Sequence, residues 1–114
     1  MLSERGRDAL LGILDNAEAA LEFTAGIDAD AFAHDRMRLY AVTRCPEIIS
    51  EASRRVDDGT RTRHPHIPWR QIADAGNVYR HAYKNVTAEM VWRVARHRMS
   101  DLIVVCKVEL SHPD

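Results

Sequence analysis

Between Gly76 and Tyr83 the chain reads Gly-Asn-Val-Tyr-Arg-His-Ala-Tyr, which gathers an amide, a guanidinium, an imidazole and two phenols into one short stretch. Cleaving a ribose phosphodiester without a metal calls for such a set. One group takes the proton from the 2′-hydroxyl, another protonates the leaving oxygen, and a cation holds the charge that builds on the phosphorus. An imidazole with an ordinary pKa of about 6.5 suits either proton transfer, and a planar guanidinium suits the charge. His81 and Arg80 are therefore the candidate acid/base and cation, with Asn77 as an amide one turn away.

A helix must carry these groups. Pro68 is acceptable in a first turn because that N–H has no intrahelical partner, so a helix is predicted over 68–82. Arg70, Asp74, Asn77 and His81 then follow at intervals of four, three and four and form one polar stripe. At about 100° per residue, Arg80 lies off that stripe and close in direction to Gly76. Tyr83 falls beyond His81, where the helix is expected to fray. A plainer role exists for each residue. An Asn and a His one turn apart at a helix end also cap carbonyls or hold a loop, and Tyr83 can simply pack the helix end. A glycine inside a helix costs about 1 kcal/mol relative to alanine, so Gly76 implies either close helix contact or lost function.

Around that helix the chain reads as three more amphipathic segments. Leu10, Ile13, Leu14, Ala17 and Leu21 recur at helical spacing in a first helix that should stop near Gly26. Phe32, in an Asp- and Ala-rich linker, can pin a short turn to the core. Leu39, Val42, Ile49 and Val56 mark a second helix, interrupted by Pro46, where a kink of about 3 kcal/mol is expected unless packing offsets it. Residues 59–67 show no periodicity and read as an exposed basic loop. Thr87 is a candidate N-cap for a last helix whose apolar face is Val91, Val94, Ala95, Leu102, Val105 and Cys106 and which ends before Pro113. With no strand pattern or repeat, the predicted fold is all-α: one domain over residues 1–114, an up-and-down four-helix bundle with an extra short helix allowed for.

Bulk properties narrow the function. A 46% hydrophobic content over 114 residues supports one modest core. Sixteen basic against seventeen acidic residues give a net charge of −1, so contact with nucleic acid has to come from a local patch. Cys45 and Cys106 lie in apolar helical patterns and read as reduced core residues. No signal peptide and no apolar run of membrane-spanning length is read, so a cytoplasmic location is expected. His64-Pro65-His66 lacks a carboxylate or cysteine at ligand spacing, and neither a metal site nor a cofactor is predicted. Trp69, Trp92, Tyr40 and Tyr79 are expected to pack.

The stretch from Asn77 to Tyr83 resembles the HEPN superfamily, and within it the HepT-like toxins, whose third long helix carries Arg-Asn-(three residues)-His-x-Tyr. Asn77, His81 and Tyr83 match that pattern, and Gly76 stands where the family has its arginine. Ile67-Pro68-Trp69-Arg70-Gln71-Ile72 resembles the lead-in to that helix, and the segment from Ala41 to Ala52 resembles the family's Arg-x-x-Glu-Ile-Ile-x-Glu-Ala helix, with Pro46 replacing an aliphatic. With Val91-Trp92, the likeness spans nearly the whole chain.

The resemblance implies a toxin of a type II toxin-antitoxin system: a homodimer that cuts RNA without metal across a two-fold cleft, with His81 as acid/base. A cognate nucleotidyltransferase antitoxin would neutralise it by adenylylating Tyr83, setting negative charge beside the RNA cleft. Arg80, one turn or about 5.4 Å beyond Gly76, would lean back to replace the missing arginine. Arg44, Glu47 and Glu51, together with Asp74 on the stripe, would orient His81 or Arg80. The alternative is a catalytically degenerate HEPN dimer, a non-cleaving binding or regulatory subunit of a nucleotidyltransferase.

Overall fold

The computed structural model describes residues 1–81 and 86–112, the side chains of Arg80 and His81 excepted. The described residues form helices and no strand: α1 (Glu4–Thr24), α2 (Ala29–Ala33), α3 (Arg36–Ser53), α4 (Asp58–Arg63), α5 (Trp69–His81), α6 (Ala88–His97) and α7 (Met99–Leu110). The architecture is the expected all-α bundle. α1 packs against α3 on one side and α7 on the other, α3 carries α5, and α6 lies across α1, α2 and α3. α6 and α7 together make the fourth long element.

Local chemistry sets the helix ends. Ser3 caps α1 by accepting from the Gly6 N–H at 2.8 Å, and the helix stops at Thr24, two residues before Gly26 takes a positive φ of 78°. Asp28 and Asp35 cap α2 and α3 through their carboxylates. Thr87 caps α6, accepting from the Met90 N–H at 3.1 Å. α3 keeps its helical backbone through Pro46, which is buried.

The core follows the predicted faces. Leu10, Ile13, Ala17, Val42, Ile49, Val91, Ala95, Leu102, Val105 and both cysteines are buried. Burial pushes the Cys106 thiol up to about 12, which keeps it protonated and inert. Phe32 is fully buried and meets the Trp92 ring at a centroid distance of 5.4 Å, so α2 is pinned as expected.

Three expectations need correction. The first part of the segment read as a basic loop, residues 59–63, belongs to α4, and Arg61, Arg63 and His64 are docked. Glu109, on the last turn of α7 and almost fully buried, accepts from Arg63 Nε at 3.1 Å and Nη2 at 2.6 Å, and its other bond is to His64 Nε2 at 2.7 Å. The Arg63 guanidinium, with His64 assisting against the opposing effect of burial, holds the Glu109 carboxyl down at about 2. His64 in turn accepts from Trp69 Nε1 through its carbonyl at 3.0 Å, which fixes the entry to α5. The last helix is broken: Arg98, at φ −112° and ψ −17°, ends α6 and starts α7. Tyr40 does not pack into the core. It is 63% exposed, with the Arg36 guanidinium 5.4 Å from its ring centroid.

Candidate active site

α5 begins one residue after Pro68 and presents three faces, set by the helical period. Its first face meets α3. The Ser50 hydroxyl, buried, donates to the Ala73 carbonyl at 2.9 Å and accepts from the Gly76 N–H at 3.0 Å. Arg54 Nη2 donates to the same carbonyl at 3.0 Å. The two helices therefore run antiparallel, Arg54 level with Ala73 and Ser50 level with Gly76. Gly76 is buried in this seam, which is the structural use of a residue that otherwise weakens a helix.

The second face is polar and open. Arg70, Asp74 and Asn77 are exposed and share one side of the helix, as the spacing predicts. The backbone of His81 continues α5 one turn beyond Asn77, so its Cα belongs to the same stripe. The third face is apolar. Ile72, Ala75 and Tyr79 line a groove of about 260 Å³ closed by Pro46 and Ile49 of α3 and by the α6–α7 junction. Burial raises the Tyr79 phenol above its ordinary pKa, so it stays a neutral hydroxyl.

The remaining candidates divide cleanly. Arg80 and His81 are placed by backbone alone, their side chains lying outside the described residues, and Tyr83 lies outside them altogether. On α3, Arg44 pairs with Glu47 at 2.5 Å, as the spacing anticipates. Glu51 meets Arg55, four residues on, at 3.4 Å. In the antiparallel register Glu47 is one turn from Ser50 and so level with the last turn of α5. Ser50 and Arg54 were not singled out by sequence. A signal for Ser50 existed, since it lies one turn after Pro46 and two turns after Val42, on the apolar face where a polar residue needs a partner.

Among the described residues no three His, Cys, Asp or Glu side chains come together as a metal-binding group. None of the described helices is long and apolar enough to cross a membrane.

Sequence comparison decides the lineage. A model of the HepT-like family, described as Ribonuclease HepT-like, matches residues 13–109. The chain belongs to the HepT-like ribonuclease family. A Methanocaldococcus jannaschii protein named Putative RNase is 34% identical over 83% of this chain and 88% of its own length. The Probable ribonuclease HepT of Thermococcus cleftensis is 33% identical over 84% of this chain and 87% of its own. No solved structure gives a significant match. The stretch from Asn77 toward Tyr83 that carries the resemblance begins on α5, and Gly76 beside it is buried in the α3 seam. Glycine offers no cation at that buried position, so in this HepT-like chain any guanidinium for chemistry has to start from another residue.

Proposed function

We propose that this HepT-like chain is the toxin of a toxin-antitoxin pair and cuts RNA without a metal. His81 serves as the proton-transfer group, Arg80 as the cation that holds the phosphorane charge, and Asn77 as an orienting amide. The observation that carries the reading is the division of α5 into faces. The α3 seam fixes one side of the helix, the apolar groove runs along another, and the stripe of Arg70, Asp74 and Asn77 is exposed where an RNA backbone can reach it. A helix hydrogen-bonded along its α3 seam supplies a fixed frame, which proton transfer requires.

In this reading the 2′-oxygen attacks the adjacent phosphorus as an imidazole takes its proton. The P–O5′ bond breaks as a second imidazolium protonates the leaving oxygen, giving a 2′,3′-cyclic phosphate and a 5′-hydroxyl. One histidine per chain meets that need if two copies face each other across a two-fold axis. Glu47, level with the last turn of α5 and paired with Arg44, would balance the charge of Arg80 in this reading. A nucleotidyltransferase partner would switch the enzyme off by adenylylating Tyr83, since added phosphate repels RNA.

The burial of Gly76 favours one second reading, a degenerate HepT-like dimer that binds a nucleotidyltransferase and cuts nothing. Purified protein incubated with RNA separates the two. Cleavage by the parent that is lost in both His81→Ala and Arg80→Ala supports the enzyme. Equal cutting by parent and variants sinks the site, and no cutting by a dimeric parent supports the second reading. Growth arrest with loss of cellular RNA on expression checks the same point in cells.

A further inference from the structure

The groove on the third face of α5 is unused by the chemistry above. Its floor is apolar, formed by Ile49, Ile72, Tyr79 and Leu102, and its volume of about 260 Å³ lies just below the range typical of drug-sized ligands. It therefore fits one flat ring system with its sugar better than a helix from another protein. Its mouth is polar. Gln71 of α5 lines it, as do Arg98 at the α6–α7 break and Asp101 on the first turn of α7. All three are exposed, and among the described residues none of their side chains is engaged in an ion pair or hydrogen bond.

A cation, a carboxylate and an amide left unengaged around an apolar slot are complementary to a nucleotide. A carboxylate accepts two parallel N–H bonds, and guanine is the RNA base whose pairing edge offers two adjacent donors, at N1 and N2. Adenine and cytosine each turn a ring-nitrogen lone pair toward that carboxylate, and uracil flanks its single N–H with carbonyl oxygens. The Gln71 amide can donate to O6, Tyr79 supplies an aromatic wall, and the Arg98 guanidinium answers the phosphate.

We propose that this groove is a guanine-binding subsite that takes a base of the RNA substrate, so that the chain selects where it cuts. The proposal rests on the ribonuclease reading for its biological meaning and on the groove alone for its chemistry. A base seated here lies on the far side of α5 from His81. The recognised guanosine is thus removed from the cut by a fixed number of nucleotides, not adjacent to it.

The test is a titration of the purified full chain with GMP, AMP, CMP and UMP, followed by calorimetry or by chemical-shift changes in the Ile49, Ile72 and Leu102 methyl groups. GMP is expected to bind about tenfold or more tightly than the other three. Asp101→Asn should abolish that preference while leaving weak binding, and Arg98→Ala should weaken all four alike. Both sites are exposed, and circular dichroism checks that the variants fold. Equal binding of the four, or no shift with any of them, overturns the proposal; the latter is the result if the groove takes a helix of a partner protein. Mapped RNA ends distinguish this failure from failure of the parent reading. Cleavage with no guanosine at a fixed offset and no GMP preference removes the subsite and leaves the ribonuclease, whereas GMP preference lost in Asp101→Asn, in a protein that cuts no RNA, keeps the subsite and removes the ribonuclease.

Discussion

The Ser50 hydroxyl sits 3.0 Å from the Gly76 N–H, at a buried point where α3 and α5 come together. Because the same oxygen donates to Ala73, Ser50→Ala removes a donor and an acceptor from the seam at once. The variant is expected to lose about 1–3 kcal/mol of stability, read from urea denaturation. Gly76→Arg, which puts a long side chain at a buried position, should also destabilise by overpacking, at about 1–3 kcal/mol or more. It should also fail to raise RNA cleavage. A Gly76→Arg protein that is both stable and more active would show that the seam can open.

Glu109 makes stability depend on acid. Its carboxyl is held at about 2, below the ordinary 4.5, mainly by the Arg63 hydrogen bonds. A folded-state pKa lower than the unfolded one contributes stability that is complete above pH 4.5 and drains away as pH falls toward 2. With Arg63 half-exposed, the contribution is about 1–3 kcal/mol. Melting temperature measured from pH 6 to pH 2.5 should fall more steeply in the parent than in Glu109→Gln, which starts lower and should lack this component of the slope.

Gly6 and Asp57 form a coupled pair. The Asp57 carboxylate accepts from the Ser3 N–H at 2.9 Å and the Ser3 hydroxyl at 2.6 Å, and a Cβ added at Gly6 would run into it. Gly6→Ala should therefore destabilise the parent although alanine is the better helix former. In an Asp57→Ala background the same change should stabilise by about 0.5–1 kcal/mol. A double-mutant cycle by chemical denaturation reads the reversal of sign.

For the proposed chemistry, His81→Ala should lower the rate of RNA cleavage by about 10²-fold or more without moving the melting temperature. Arg80→Lys keeps the charge and loses the planar fork, so it should retain part of the rate that Arg80→Ala loses. Initial rates on a short fluorescent RNA, with melting curves beside them, decide both.

The helical core was legible because its apolar residues recur with one period: Leu10, Ile13 and Ala17 in α1, Val42 and Ile49 in α3, Leu102, Val105 and Cys106 in α7. Thr87 and Gly26 announced their helix ends through local chemistry alone. What escaped notice depends on contacts between distant parts of the chain. Six residues of α4 are too short for a pattern, and they are held by buried Thr60 and by Glu109, 46 residues beyond Arg63. The break at Arg98 leaves no proline or glycine behind. In the candidate site, spacing placed Arg70, Asp74 and Asn77 on one open face. The partner of Gly76 was hidden because Ser50 belongs to another helix.

The Glu109 clamp has a consequence for the order in which the protein can mature. Arg63 and His64 hold the entry to α5, yet the carboxylate that holds them arrives with the last turn of α7. As a ribosome feeds the chain out from its amino end, the stretch bearing His81 emerges well before its anchor. A nascent chain halted after α5 cannot make this contact, which ties the clamped entry of α5 to the synthesis of α7.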